Sequence, residues 1–248
     1  MKGFQNHTIQ MTDKLLIDAD TLVYRAVVGK DDELLDNVLD DLYNSCQQLL
    51  SALPSYEFTH FYLTGADNFR KTSYDWYKAN RINNPRPKHL TKAKQFLEKE
   101  FGATWSVNQE ADDDIGIEVF REPDCQVLIA HIDKDLNQFP GLHYNYNKNE
   151  LYEVTETQAK QFFLHQMVLG DKSDNVEGFD GLIRLTYPKK FKYIEDTINN
   201  ETDFEEGLRF VWDLYNHHGR EHLFHDIADC LWLLKEPEKN WKKLEIKI

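Results

Sequence analysis

Up to Thr155 the chain alternates short apolar runs with longer stretches of helical spacing. That pattern belongs to a largely parallel sheet with helices packed on it. Lys14 to Asp18 (KLLID) is a compact apolar run suited to a buried strand. Glu33 to Leu53 follows with Leu35, Val38, Leu39, Leu42, Cys46, Leu49 and Leu53 on one helical face, which predicts a crossover helix. Phe58 to Leu63 is the next strand, and Asn83, Asn84, Pro85 and Pro87 break any helix in the segment after it. A helix is predicted over Thr91 to Phe101, a strand over Ala103 to Val107 and a helix over Asp112 to Phe120. Gln126 to Ile132 (QVLIAHI) is the clearest buried strand. Leu142 to Tyr146 and Leu151 to Val154 read as a hairpin turning at Asn147 to Glu150. After Thr155 no strand pattern recurs, and helices are expected over Glu156–Leu169, Pro188–Thr197, Asp203–Tyr215 and Glu221–Leu234. The expected division is a tail over residues 1–13, an α/β core over 14–154 and a helical C-terminal subdomain over 155–248.

At 248 residues the chain can bury a sizeable core, and no apolar run approaches the roughly 18 to 20 residues of a membrane span. Residues 1–13 lack the apolar stretch of a secretory signal, which makes a cytoplasmic setting the default expectation. Cys46, Cys125 and Cys230 are too scattered for a disulfide framework or a thiolate zinc site. The net charge of −14 argues against nucleic acid as a partner until its distribution is considered. From Arg70 to Lys99 nine basic residues face only Asp75 and Glu98, a strongly positive segment on an acidic body.

Four acidic groups fall where strands end or helices begin. Asp18 and Asp20 close the first strand with period-2 spacing, and Asp133 and Asp135 do the same after QVLIAHI. Glu110, Asp112 and Asp113 open a helix, and Asp171 and Asp174 share the polar loop Gly170-Asp171-Lys172-Ser173-Asp174-Asn175. Each alone is ordinary capping or turn chemistry. In an open parallel sheet, however, the crevice beyond the carboxyl ends of the strands is where ligands bind. Carboxylates gathered there repel one another unless a hard cation such as Mg²⁺ or Mn²⁺ joins them. Two such ions about 3.5 to 4 Å apart serve in-line displacement at a phosphodiester. Lys78 and Arg81, one helical turn apart, are candidates to hold the phosphate. Tyr74, Trp76 and Tyr77 beside them are candidates either to stack on an unpaired base or to pack into the core.

The elements LLIDAD, LTGADNFRK with YKANR, EADDD, HIDKDL and GDKSDNVEG, in this order, resemble those of the 5′-nuclease superfamily of flap endonucleases and 5′-3′ exonucleases, small bacteriophage members above all. The resemblance covers about Leu15 to Ile194. It implies a PIN-like α/β fold, a basic helical arch at about 68–90, and a C-terminal element like a helix-hairpin-helix that binds duplex DNA and a K⁺ ion. It implies two Mg²⁺ or Mn²⁺ ions held by Asp18, Glu110, Asp112, Asp113, Asp133, Asp135, Asp171 and Asp174. Lys78 and Arg81 are implied as the catalytic phosphate-contacting pair. Nucleic-acid contacts are implied for Arg70, Lys71, Tyr77, Lys78, Arg81, Arg184, Lys189 and Lys190. The implied activity is hydrolysis near DNA 5′ ends, flaps or nicks and in RNA–DNA hybrids, by a monomer serving replication, primer removal or recombination. Two positions depart from the pattern. Thr64 stands where many members end the second strand with an aspartate, and Gly178-Phe179-Asp180-Gly181 replaces a tighter Gly-x-Gly turn. The rival readings are a PIN-type ribonuclease, which predicts fewer carboxylates and no basic arch, and a non-catalytic nucleic-acid-binding accessory protein on the same scaffold.

Overall fold

The computed structural model describes residues 14–122, 125–180 and 183–244. Six strands form one sheet in the order β3-β2-β1-β4-β5-β6. They are β1 (Lys14–Asp18), β2 (Phe58–Leu63), β3 (Thr104–Trp105), β4 (Val127–His131), β5 (Gly141–Asn145) and β6 (Glu150–Val154). All pairings are parallel except β5 with β6, the predicted hairpin. The chain moves outward from β1 through β2 to β3, then returns to the other side of β1 as β4. The carboxyl ends of β1 and β4 therefore flank the point where the strand order reverses.

Alternation along the strands sorts the core into two layers. Leu15, Ile17, Phe61, Leu63, Leu128 and Ala130 face α1 (Asp20–Val27), α2 (Leu35–Ala52) and α4 (Leu90–Phe101). Leu16, Tyr62 and Ile129 face the opposite way, toward α5 (Ala111–Arg121). The later helices are α6 (Glu156–Leu169), the short α7 (Ile183–Thr186), α8 (Pro188–Asn200), α9 (Phe204–His217) and α10 (Glu221–Leu231). They build an apolar cluster of their own around Phe163, Met167, Tyr215 and Phe224. A four-residue helix, α3 (Arg70–Ser73), follows β2. Among the described residues no helix is long and apolar enough to cross a membrane.

The structure departs from the sequence expectations in four places. Helix α1 starts directly after β1, its short apolar face (Leu22, Val23, Ala26, Val27) buried ahead of the longer α2. The strand expected over Ala103–Val107 keeps only Thr104–Trp105, because Asn108 adopts a left-handed φ of 59° and Val107 is exposed. Helix α10 stops at Leu231 rather than Leu234, since side chains from elsewhere capture the backbone of residues 230–234. The turn expected to align Lys78 with Arg81 is a 3-10 turn over Ala79–Arg81, entered through Lys78 at φ 56°.

Gly116, in the middle of α5, marks the closest approach of that helix to its surroundings. A Cβ there meets Phe139 Cζ at 2.2 Å and the Leu234 carbonyl at 2.3 Å. Glycine to alanine in an open helix gains roughly 1 kcal/mol. Overpacking reverses the sign here, and Gly116→Ala is expected to lose about 1 to 3 kcal/mol in urea unfolding.

Candidate active site

Beyond the carboxyl ends of β1, β2 and β4 lies a cleft of about 920 Å³. Asp18, Glu110, Asp112, Asp133, Asp135 and Asp174 line it on the acidic side, and Lys71, Lys78 and Arg81 on the basic side. Asp18 ends β1, its carboxylate taking the Asp20 amide at 3.1 Å and the Thr21 hydroxyl at 3.1 Å. Asp133 caps the 3-10 turn Lys134–Gln138 by accepting the Asp135 amide at 3.0 Å, and Asp135 accepts Gln166 Nε2 at 2.8 Å. These bonds fix the side chains without neutralising them.

The electrostatic consequence falls on the β1–β4 side. Burial, reinforced by Asp20 and Asp133, pushes Asp18 up to about 7. Burial with Asp133 and Asp171 beside it pushes Asp135 up to about 8. Burial and the charges of Asp18, Asp133 and Glu110 raise Asp112 well above the carboxylate range. Buried acids crowded by other acids, and raised for both reasons, form a site whose charge balance a cation would improve.

The other half of the cleft is already balanced. Lys78 Nζ donates to Glu110 and lies 3.5 Å from Asp174, and Arg81 donates to Asp174 at 2.7 Å. The Tyr77 hydroxyl donates to Glu110 at 2.8 Å and Asp174 at 2.9 Å. Burial works against the charge of Glu110, but Lys78 and Arg70 outweigh it and hold the carboxyl down at about 2. Burial likewise opposes the Lys78 charge, and Glu110 and Asp174 keep it above the ordinary lysine range. Lys78 is thus a fixed ammonium, suited to hold an anion and unsuited to take a proton.

Several residues expected at the site are committed to other partners or stand elsewhere, Arg70 bordering the cleft with its guanidinium turned inward. Asp113 is fully buried and turned away, its two oxygens bound by the Arg70 guanidinium at 2.6 and 2.7 Å. Arg70 is fully buried too, so neither a metal contact for Asp113 nor a nucleic-acid contact for Arg70 fits this arrangement. Asp171 closes its own loop through Ser173, accepts Lys134 at 2.7 Å, and is not among the residues lining the cleft. Tyr77 packs into the C-terminal apolar cluster, Tyr74 is half-buried against it, and Trp76 is the exposed ring of the three. Arg184, Lys189 and Lys190 lie outside the cleft on α7 and α8, exposed, with Arg184 3.6 Å from Glu195. The K⁺ expectation falls partly on Gly181 and Leu182, outside the described residues. Sequence reasoning passed over Lys94 and Trp105 as parts of the cleft wall. The signal available was a lysine on the apolar face of α4, beside Leu90, Ala93 and Leu97.

Oxygen donors with unbalanced negative charge suit a hard divalent cation. Among the described residues no three His, Cys, Asp or Glu side chains meet closely enough to hold a metal by themselves. Mg²⁺ keeps several of its waters and takes one or two carboxylates, so it needs no more than two of Asp18, Asp112, Asp133 and Asp135, which line the same cleft.

This site and fold define an α/β protein with a carboxylate crevice at its topological switch point. No protein-family description matches the sequence, and no curated protein does. Solved structures do. A bacteriophage T5 flap endonuclease, captured as a pseudo-enzyme–product complex with DNA and metal ions, is similar at 14% identity with a TM-score of 0.59, over 93% of this chain and 96% of that one. The T5 5′-exonuclease with bound zinc is similar at 17% identity and a TM-score of 0.55, over 88% and 93%. The T5 protein co-crystallised with metal ions aligns at 15% and 0.54, over 88% and 93%. The chain thus has the PIN-like fold of the flap endonuclease and 5′-exonuclease group.

Two outcomes follow from this geometry. Arg70→Ala leaves Asp113 buried without a partner, and a loss of about 3 to 5 kcal/mol is expected in chemical unfolding. For pH, unfolded aspartate titrates near 4. From there to about 8 the folded chain holds more protons at Asp18 and Asp135 than the unfolded one, so stability falls as pH rises. The low value of Glu110 acts only below this window, whereas His131 and His143, both pushed down to about 4 by burial, work in the opposite sense up to about pH 6.5. Without divalent cations the Tm is therefore expected to be lower at about pH 8 than at about pH 6.5, and Mn²⁺ to raise it more at the higher pH. An unaltered pH slope in the double variant Asp18→Asn, Asp135→Asn contradicts this assignment.

Proposed function

We propose that this protein is a divalent-cation-dependent nuclease that hydrolyses phosphodiester bonds near DNA 5′ ends, at flaps or nicks and in RNA–DNA hybrids. The observation that carries the reading is the gathering of Asp18, Asp112, Asp133 and Asp135 in one cleft at the switch point, facing the cations Lys78 and Arg81, with Asp18, Asp112 and Asp135 raised by burial and by their acidic neighbours. The cation, Mg²⁺ or Mn²⁺, would be held by carboxylates of Asp18, Asp112, Asp133 and Asp135. When bound, the cation supplies an acidified water and neutralises charge on the phosphate.

The remaining work falls to the chain itself. Lys78 and Arg81 sit on a turn that docks onto the Asp171–Asn175 loop, through Lys78 N to Asp174 O at 2.8 Å and Arg81 to the Ser173 carbonyl. That docking holds both cations across the cleft from the aspartates. A phosphate entering between the two halves takes hydrogen bonds from Lys78 and from the half-exposed Arg81, each trading part of its bond to Glu110 or Asp174. The phosphate is thereby oriented, and charge developing on its oxygens meets donors already in place. Exposed Trp76 and the basic face of α7 and α8 lie outside the chemistry and suit contacts with single-stranded and duplex DNA. The similarity of the fold to DNA-bound and metal-bound phage nucleases supports this substrate class. A role in replication or primer removal by a monomer is part of the same reading.

Labelled 5′-flap, nicked and RNA–DNA hybrid substrates with Mg²⁺ or Mn²⁺ give the test. Cleavage is expected, and its absence on all three with either metal refutes the reading. Lys78→Ala is expected to lower turnover by about 10²-fold while changing DNA affinity far less. The internal use of Asp113 and Asp171 favours one rival, a non-catalytic accessory protein, which predicts DNA binding without cleavage and without dependence on Mn²⁺.

A further inference from the structure

Lys94 is out of place by the usual logic of an amphipathic helix. On α4 the buried positions are Leu90, Ala93, Lys94 and Leu97, the i, i+3, i+4, i+7 stripe that packs on the sheet, and Lys94 is only 6% exposed. A buried ammonium persists only where something compensates its lost hydration. Its Nζ lies 2.5 Å from Asp20 Oδ1, donates to the Thr64 carbonyl at 2.9 Å, and stands over the Trp105 ring, 5.6 Å from its centroid. The other Asp20 oxygen accepts the Thr64 amide at 3.0 Å. The Thr64 hydroxyl accepts the Ala111 amide at 3.0 Å, which caps α5. The Asp20 carboxylate and the Thr64 hydroxyl and carbonyl are thus already engaged within the chain, Asp20 Oδ1 by the Lys94 ammonium alone, and the positive charge beside them comes from Lys94.

The two sides of the cleft differ accordingly. Asp20, Glu110 and Asp174 are paired with Lys94, Lys78 and Arg81. Among the described residues no ion pair within 4.0 Å reaches Asp18, Asp112 or Asp133, and Asp135 has only Lys134 at 3.9 Å. We propose that Lys94 is a built-in counter-cation occupying the place of a second metal ion, so that the cleft takes up one divalent cation, on the β1–β4 side, where two were expected. A tethered ammonium suits the position because it is held there by the helix and faces both Asp20 and the Thr64 carbonyl. Unlike a second divalent ion, it supplies no acidified water, so the water that attacks must come from the β1–β4 side. This rests on the cation-dependent reading given above, and the test separates the two.

The full-length protein is titrated with Mn²⁺ alone, following bound metal by electron paramagnetic resonance and calorimetry. One ion per chain is expected. Two ions in the unaltered protein overturn the inference and leave the nuclease reading standing, whereas no bound ion overturns both. Lys94→Met, close in size and uncharged, frees the Asp20 carboxylate and is expected to bind two ions. A count that stays at one overturns the role of Lys94. Should that variant fail to fold, as judged by circular dichroism, Asp20→Asn decides: an unchanged count of one supports the inference, and loss of the ion makes Asp20 a metal ligand and overturns it.

Discussion

The buried pair of Arg70 and Asp113 is the joint on which the cleft is built. The Arg70 guanidinium binds both oxygens of Asp113, and it donates as well to the Cys230 carbonyl at 2.9 Å and the Trp232 carbonyl at 2.7 Å. Asp113 in turn accepts the amides of Glu110 at 3.0 Å and Leu234 at 3.0 Å. One side-chain pair thereby fastens the segment after β2, the start of α5 and the stretch after α10. Such a pair contributes little net stability compared with well-packed apolar residues. Its value is positional. It sets the rotation of α5, and with Asp113 locked inward Asp112, about 100° around the helix, is turned into the cleft.

This explains what could be read from the chain and what could not. Buried parallel strands announce themselves as continuous apolar runs, and β1, β2 and β4 lie within a residue or two of their expected limits. Carboxylates at strand ends were legible for the same reason, since the end of the run fixes their place. Within EADDD, the sequence does not say which acid faces which way. Asp112, Asp113 and Asp114 share a residue type, and only the arginine arriving from position 70 divides them. Residues 232–234 have helix-forming composition, but Asp113 and Gln138 bind their amides and hold them extended. Tertiary partners overrode local preference there, as they did where Tyr77, flanked by cations, proved to be a core residue.

The charge asymmetry of the chain also acquires a different meaning. Four cations of the positive segment, Arg70, Lys78, Arg81 and Lys94, are directed at Asp113, Glu110, Asp174 and Asp20. A fifth, Lys88, is bound to the backbone and side chain of the Asp31 loop, its ammonium donating to the Asp31 carbonyl. The excess visible in the sequence is therefore largely the internal counter-charge of an acidic cleft, and only part of it is presented to an incoming polyanion. A domain with net charge −14 could not attract DNA by its overall field. On the proposed function, attraction would be local, from Lys71 and Arg81 at the cleft and from the exposed basic residues of α7 and α8, within a screening distance of about 8 Å at physiological salt.

The same interleaving constrains the order of events at the site. An anion meeting four clustered aspartates alone is repelled, and a cation meeting Lys78 and Arg81 alone is repelled as well. Glu110 and Asp174 hold the two basic groups on their side of the cleft, away from the β1–β4 aspartates. On the proposed function, a divalent ion bound among those aspartates would relieve their repulsion without displacing Lys78 or Arg81. Once that relief is in place, the free energy holding Lys78 on Glu110 falls, since part of the negative field that favoured the pair is gone. Lys78 becomes easier to draw onto a phosphate oxygen. On that reading, binding of cation and phosphate would be coupled through one shared acidic field, each favouring the other without movement of the sheet.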